Sequence, residues 1–356
     1  MTTTAPPRSQ QLSEGELGTV LLHIERGDTD AAHTGLARAV AGGVSTGANA
    51  SLFHGTPALE FVLGRAGHTR PDVREAVDRV VTARLATAHR RRADGVLPYL
   101  AEFDLIGGLT GLGALLLARD ETSPLLKEVL AYLVSLAQPV RVNGRELPGW
   151  WSALSPHGEQ KGGGHGNNGV AHGIAGPLAL LSLATRHGVR VPGQDEAIGV
   201  FACWLDSHAC GYWTTRDQLD APQPPAPAPA RPSWCYGRPG IARAHHLAGL
   251  ALGDRARSLE AEDTLVRTLT DPTDLGRITD ASLCHGWAGL VALTRAVAAD
   301  SPTPQRFTPL IDDLTARLAA TVDHLPKPGF MEGRAGAHLA LAGTDATGWT
   351  RALLIT

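Results

Sequence analysis

Two short stretches hold the residue types best suited to chemistry, because each places a cysteine just before a glycine motif and an apolar run. Residues 283–290 read LCHGWAGL and set Cys284 beside His285. Residues 234–241 read WCYGRPGI and contain Cys235. Two thiolates and one imidazole are a ligand set that suits zinc, and three protein ligands leave the fourth position that catalytic zinc sites keep open. The alternative is two buried cysteines and a histidine that caps a helix.

Three more residues near glycine motifs are candidates. His172 comes just before Gly173, and we interpret it as the counterpart of the two cysteines in its own motif. A histidine titrates near neutral pH and suits a general acid or base, with a capping histidine as the alternative. Asp104 precedes another motif and is either a helix cap or the partner of a cationic group. Arg231, four residues before Cys235, is either a cavity residue or a surface arginine.

The other two cysteines, Cys203 and Cys210, lie seven residues apart with no glycine motif nearby. We interpret them as ordinary thiols, and they are the rival metal ligands. Four cysteines in 356 residues favour a metal site or thiol chemistry over a disulfide framework. Residues 1–30 lack the basic and apolar segments of a secretory signal. We therefore expect a cytoplasmic location.

The composition is that of a globular protein, with 43% apolar and 19% charged residues. The formal net charge of −3 gives no reason to expect nucleic acid or an anionic membrane as a partner. No apolar run approaches the roughly 18–20 residues that span a bilayer, so no transmembrane segment is expected.

One pattern recurs along the chain: an approach residue or two, then G-x-x-G or a close variant, then an apolar run. The first glycines of successive copies are 47 to 65 residues apart, which leaves room for two helices and two turns in each unit. Such a period predicts stacked helical hairpins, and the glycines should permit close approach and φ > 0 turns at helix starts. The copies begin at Gly55, Gly108, Gly173, Gly237, Gly286 and Gly333.

Two kinds of helix are predicted to alternate. The runs after the glycines, such as 111–118 and 176–184, are apolar all round, which predicts inner helices. All glycine ends of a two-layer ring would lie at one rim, where the candidate histidines and the cysteines of the two motifs would converge. The amphipathic outer helices are predicted at 72–92, 124–137, 195–207, 255–270 and 308–324.

The predicted fold class is all-α, with an N-terminal helical segment at 1–50 and the layered unit at 51–356. Two regions interrupt the pattern. Residues 138–168 should be irregular or short β-structure. Residues 221–232, APQPPAPAPARP, predict a polyproline-like loop, with a disordered insertion as the alternative.

These motifs together resemble the lanthionine synthetase C-like family, the cyclases of lanthipeptide biosynthesis, from about residue 50 onward. The resemblance implies an α/α toroid, a double-layer barrel of inner and outer helices. The family toroid has seven hairpins, so residues 1–50 must supply the missing helices or leave the ring incomplete. The matching segments are DLIGG (104–108), AHGIAG (171–176), WCYG (234–237), CHG (284–286) and EGRAG (332–336).

The resemblance also implies a site that contains one zinc ion, Zn²⁺. The implied ligands are Cys235, Cys284 and His285. The other implied roles are acid/base for His172, orientation of His172 for Asp104, stabilisation of a developing oxyanion for Arg231, and a place in the active site for Tyr236.

The implied reaction is the Michael-type addition of a peptide cysteine thiolate to dehydroalanine or dehydrobutyrine in the same peptide, which forms (methyl)lanthionine rings. The expected partners are a dehydrated precursor peptide, leader plus core, and a separate dehydratase, with an exporter as a further candidate. A biosynthetic complex of this kind would associate the cytoplasmic protein with the membrane. The alternatives are an enzyme that adds glutathione or another thiol to dehydroamino acids, and a non-catalytic zinc-containing scaffold that binds peptide.

Overall fold

The computed structural model describes residues 8–156, 158–208, 211–221 and 230–356, and the side chains of residues 8, 160 and 161 are not part of that description. His157, Cys210 and most of the predicted polyproline-like loop lie outside the described residues.

Helices dominate the described chain. The α-helices are α1 (Glu16–Glu25), α2 (Thr29–Val40), α3 (Thr56–Arg65), α4 (Pro71–Ala93), α5 (Leu100–Phe103), α6 (Leu109–Arg119), α7 (Pro124–Ser135), α8 (Ala175–Arg186), α9 (Gln194–His208), α10 (Arg216–Asp220), α11 (Arg238–Leu252), α12 (Arg255–Thr270), α13 (Pro272–Leu275), α14 (Trp287–Asp300), α15 (Thr308–Thr321) and α16 (Arg334–Ala342). Short 3₁₀ helices cover Arg8–Gln10, Pro304–Phe307, Val322–His324 and Trp349–Leu353.

The helices form two layers, and hydrophobic patterning decides which layer each one joins. In α8 every residue from Ala175 to Thr185 is buried, as expected of an apolar helix in the inner layer. In α4 only a stripe is buried, which includes Val77, Val81, Leu85 and Ala88 at helical spacing. The outer helices α4, α7, α9, α12 and α15 follow the predicted ranges closely and pack against the inner helices that precede them. The predicted two-layer arrangement is confirmed.

The inner layer closes into a ring. Each inner helix contacts the next, in the order α1, α3, α6, α8, α11, α14, α16, and α16 in turn contacts α1. In the described chain this gives seven inner helices, with α1 and α2 as the hairpin that the six sequence motifs left open. The fold is therefore a closed α/α toroid.

The N-terminal hairpin carries a glycine motif that the sequence analysis missed, Gly15-Glu16-Leu17-Gly18. A Cβ on Gly18 would lie 2.4 Å from the carbonyl oxygen of Leu12. The last glycine of other motifs approaches the carbonyl oxygen six residues earlier in the same way. A Cβ on Gly289, for example, would lie 2.1 Å from the carbonyl oxygen of Leu283. These glycines are thus needed because the approach loop folds back onto the helix start.

The prediction that the first glycines adopt φ > 0 turns is wrong for most copies. Gly108 has φ −110°, Gly286 has φ −115° and Gly333 has φ −123°, and only Gly55, with φ 70°, lies in the left-handed region among the seven first glycines. The physical reason is close packing: a Cβ on Gly286 would lie 2.3 Å from the backbone nitrogen of Ser282.

The described residues of the insertion at 138–168 include several short β-strands. Strands β1 (Val140–Val142) and β2 (Arg145–Leu147) form an antiparallel hairpin with Val140 opposite Leu147. Strands β3 (Ser152–Leu154), β4 (Gln160–Asn167) and β5 (Trp213–Thr215) form an antiparallel sheet with β4 in the middle. His165 of β4 lies opposite both Ser152 and Thr215. In the described part of the chain, no helix combines the length and apolar character needed to cross a bilayer.

Candidate functional site

Six backbone hydrogen bonds join the seven approach loops in an open series along the rim of the toroid, and we call this series the rim belt. In each link an N–H of one loop donates to the carbonyl oxygen two residues before the first glycine of a neighbouring loop. The N···O distances are 2.8–3.3 Å for Leu105 to Ala171, Ala171 to Cys235, Cys235 to Cys284, Cys284 to Met331, Met331 to Ser13 and Leu12 to Phe53. The belt satisfies backbone groups that would otherwise be unpaired at the crowded rim.

The rim belt fixes which side chains meet. Ser13, Ile106, Ala171, Cys235, Cys284 and Met331 each stand two residues before a first glycine, and all of them line one cavity of about 660 Å³. The residues one position later, Glu14, His172, Tyr236, His285 and Glu332, line the same cavity. His172 is therefore the counterpart of Tyr236 and His285, and not of the cysteines as the sequence analysis assumed.

Three of these side chains form a group that can hold one metal ion. The sulfur atoms of Cys235 and Cys284 and a ring nitrogen of His285 all lie within 4.8 Å of one another. An ion about 2.0–2.3 Å from each ligand atom is compatible with that spacing, and the donor set suits zinc. Cys203, by contrast, is exposed and belongs to no such group among the described residues.

The two thiols differ in their pKa values. Hydrogen bonds from the Cys284 thiol, and next from His285, hold the pKa of Cys235 well below its usual value in spite of burial. The Cys235 thiolate in turn raises the pKa of Cys284 well above its usual value, and burial adds to that effect. The lowered pKa of Cys235 favours its thiolate, the form in which cysteine binds a metal ion.

His285 is held from both sides. Its Nε2 lies 3.1 Å from Oδ2 of Asp280, and its backbone N–H donates to the hydroxyl of Ser282 at 3.3 Å. Hydrogen bonds to Asp280 and then to Cys235 raise the pKa of His285 to about 9. Burial alone would raise the pKa of Asp280, but hydrogen bonds from His285 and Ser282 outweigh burial and lower it.

His172, which lines the cavity, and the buried Asp104 form a second group. Nδ1 of His172 lies 2.6 Å from Oδ2 of Asp104, whose side chain is only 2% exposed. The other carboxylate oxygen of Asp104 accepts the N–H of Gly107 at 2.7 Å. Asp104 therefore contacts His172 and closes the approach loop at Gly107, but it is not the helix cap considered from the sequence, because the N-cap of α6 is Gly108 and has no side-chain cap.

Tyr236 and Arg231 complete the cavity wall. The hydroxyl of Tyr236 accepts a hydrogen bond from the side-chain amide of Asn167 at 3.3 Å, and burial raises the pKa of Tyr236, which keeps it a neutral phenol. Nη1 of Arg231 lies 3.4 Å from the hydroxyl of Thr279 and 3.8 Å from Oδ2 of Asp280. Arg231 therefore reaches the loop that carries Cys284.

Asp280 and the N-terminal part of the cavity wall, which includes Gln11, Ser13 and Glu14, were not predicted from the sequence. The position of Asp280 could have identified it, because it precedes Cys284 by four residues, just as Arg231 precedes Cys235. Two other histidines, His54 and His165, are buried and do not line the cavity.

Comparisons with known proteins agree with this architecture. The chain is 25% identical over 279 residues to the nisin biosynthesis protein NisC of Lactococcus lactis subsp. lactis, an alignment that covers 71% of this chain. The aligned region spans 64% of the length of that relative. A solved structure of nisin cyclase superposes with a TM-score of 0.77 at 21% identity and covers 98% of this chain and 92% of its own, which supports the fold.

A family model described as lanthionine synthetase C-like protein matches residues 6–354, nearly the whole chain. The match includes the N-terminal hairpin that closes the ring as well as both cysteine loops. The chain belongs to the lanthionine synthetase C-like family.

Proposed function

We propose that the protein is a zinc-dependent lanthipeptide cyclase. One observation carries the proposal: a Cys₂His group and a carboxylate-bound histidine face the same cavity. Family membership and the likeness to a protein named for nisin biosynthesis support this reading over other uses of such a cavity.

Cys235, Cys284 and His285 are the residues that would hold zinc. Their atoms are close enough to share one ion, and two of the three are thiols. When bound, zinc lowers the pKa of a substrate cysteine thiol and so makes the thiolate available near neutral pH. The protein fixes this ligand set through backbone, since Cys235 donates its N–H to the carbonyl of Cys284.

The reaction needs a proton donor as well as a thiolate. The cysteine sulfur forms a bond to the β-carbon of the dehydroamino acid, the π bond between the α- and β-carbons breaks, and the α-carbon takes up a proton. We assign this transfer to His172, because Nδ1 donates to Asp104 and Nε2 is then the nitrogen that can exchange a proton. The proton lost by the thiol equals the proton gained at the α-carbon, so the peptide is isomerised without any redox cofactor.

Asp104, Arg231 and Tyr236 would support this step. Asp104 holds His172 in one orientation through the contact of its Oδ2 with Nδ1. Arg231 lines the cavity as a fixed cation, and Tyr236 as a neutral phenol can donate a hydrogen bond. We assign both to the carbonyl oxygen on which negative charge develops during addition.

The substrate we propose is a dehydrated precursor peptide, which a separate dehydratase has modified beforehand. A cavity of about 660 Å³ is large enough for a short peptide segment that brings its cysteine and dehydroamino acid together. The substrate cysteine must be reduced to react, which favours a cytoplasmic location.

The test incubates the zinc-loaded protein with a dehydrated peptide and then with a thiol-alkylating reagent. Cyclisation leaves the peptide mass unchanged, so loss of alkylatable thiol is the measurement. We expect that loss with the wild-type protein and not with His172→Asn. Addition of glutathione in the same assay distinguishes the alternative thiol-adding activity, because its product gains the mass of glutathione. If the thiols stay fully alkylatable with an authentic substrate, the proposal fails.

A further inference from the structure

The Asp280 carboxylate has both oxygens committed. Oδ1 accepts the backbone N–H of Ser282 at 2.8 Å, which closes a tight turn two residues before Cys284. Oδ2 lies 3.1 Å from Nε2 of His285. The side chain is about one quarter exposed, so its orientation is set by these contacts rather than by solvent.

The helix start after this loop is shaped to leave room for the carboxylate. A Cβ on Gly286 would lie 2.3 Å from Oδ1 of Asp280, so any larger residue there would displace the carboxylate. The backbone carbonyl of Asp280 also accepts the N–H of Trp287 at 3.1 Å. The loop therefore presents Asp280 to His285 in one position.

The contact with Asp280 decides which nitrogen of His285 is available to a metal. Because Nε2 is engaged by Asp280, Nδ1 is the nitrogen that remains as a ligand atom for the metal-binding group. Donation of Nε2–H to a carboxylate fixes the neutral ring in the tautomer with a lone pair on Nδ1.

The second cysteine loop reaches the same carboxylate. Nη1 of Arg231 lies 3.8 Å from Oδ2 of Asp280, the oxygen that faces His285. The same nitrogen is 3.4 Å from the hydroxyl of Thr279, the residue before Asp280. Arg231 thus links the loop of Cys235 to the carboxylate beneath the loop of Cys284.

From these contacts we propose that Asp280 is a positioning residue of the metal site. It orients His285 and selects Nδ1 as the metal-binding nitrogen, while Arg231 steadies the carboxylate from the neighbouring loop. The inference rests on the proposed zinc site and deepens it. It also gives Arg231 a second role, beyond that of a cation facing the substrate.

The variant Asp280→Asn separates this role from a purely structural one. Asparagine keeps an oxygen that can accept the Ser282 N–H, so the turn is preserved. With that oxygen in the turn, its amide nitrogen takes the place of Oδ2 and cannot accept a hydrogen bond from Nε2 of His285.

The matched control is Asp274→Asn. Asp274 lies on the same approach to α14, and its carboxylate pairs with Arg238 at 3.7 Å without contact to the metal-binding group. We expect zinc affinity, measured by chelator competition, to fall about 10–100-fold in Asp280→Asn and to stay within about twofold of wild type in Asp274→Asn. The zinc affinity of Arg231→Gln should lie between the affinities of Asp280→Asn and Asp274→Asn.

Two further measurements complete the test. In thermal unfolding without metal, the Tm of Asp280→Asn should be close to that of wild type. The absorption spectrum of Co²⁺-substituted Asp280→Asn should differ from that of wild type, because the imidazole ligand is altered. Wild-type zinc affinity and an unchanged Co²⁺ spectrum in Asp280→Asn would overturn the inference and leave the cyclase proposal standing. Failure of the wild-type protein to bind zinc at all would overturn both.

Discussion

The loop before α11 and the loop before α14 share one backbone design. Each has a serine two residues before its cysteine, and the serine hydroxyl accepts backbone N–H groups. Ser233 accepts those of Tyr236 and Gly237, and Ser282 accepts that of His285. The two cysteines then meet through a backbone hydrogen bond of the rim belt.

The same two loops differ in charge and in the residue after the cysteine. Four residues before the cysteine, the first loop has Arg231 and the second has Asp280. The residue after the cysteine is Tyr236 in one loop and His285 in the other. Because the second loop carries a carboxylate, it can orient an imidazole, whereas the first loop carries an aromatic ring after its cysteine. Backbone sets the position, and side chains set the chemistry.

Loss of either cysteine should have the largest effect. We expect Cys235→Ala and Cys284→Ala each to lose the one zinc per chain, because two remaining ligands do not hold the ion tightly. Elemental analysis after dialysis measures this, and Cys203→Ala is the control that should keep its zinc. Zinc retained in Cys284→Ala and lost in Cys203→Ala would mean that the ligands are misassigned.

Replacement of His172 should separate catalysis from metal binding. His172→Asn removes the proton donor without touching the metal-binding group, so kcat/KM for cyclisation should fall about 10²–10⁴-fold with zinc content unchanged. His187→Asn changes a histidine that pairs with Glu121 away from the cavity, and it should leave activity intact. If His172→Asn were as active as His187→Asn, His172 would have no part in the mechanism.

If the two loops share a backbone, equivalent glycines should be equally intolerant of a side chain. A Cβ would lie 2.0 Å from the Trp234 carbonyl at Gly240 and 2.1 Å from the Leu283 carbonyl at Gly289. Each Gly→Ala change should lower the free energy of unfolding by about 1–3 kcal/mol, as measured in urea. Gly199→Ala is the control, because open space surrounds that position in α9. If Gly240→Ala lowered the free energy of unfolding and Gly289→Ala did not, the two loops would not share one backbone design.

The serines should show the smallest difference. Ser233→Ala leaves two backbone N–H groups without their acceptor and Ser282→Ala leaves one, so we expect losses of about 1 kcal/mol with the larger loss for Ser233. Urea unfolding of the metal-free variants measures both. The reverse order would show that the contact with His285 matters more to the fold than the two bonds at the first loop.

Local patterns were enough to predict the layers. The helical spacing of Val77, Val81, Leu85 and Ala88 identified α4 as an outer helix, and the uninterrupted apolar run of α8 identified it as an inner one. Helix type depends on residues within a few turns of one another, so a sequence carries this information.

Closure of the ring depends on residues far apart in the sequence, and the support of His285 depends on the folded shape of its own loop. The backbone hydrogen bond from Met331 to Ser13 joins loops more than 300 residues apart in the sequence. No periodic pattern in the sequence predicts that contact. The contact of Asp280 with His285 depends on a turn made by Ser282 and on the missing side chain of Gly286. Only the folded loop brings these groups together.

The rim belt is made of main-chain atoms alone, and this has a consequence for how such a protein can change. Substitution of a side chain at a belt position leaves the N–H and C=O groups that hold the ring in place. Each loop can therefore exchange a cysteine for a methionine, a serine or an alanine, as the belt already does at Met331, Ser13 and Ala171. New reactivity at the rim can be explored by mutation one loop at a time, on a scaffold whose closure does not depend on the outcome.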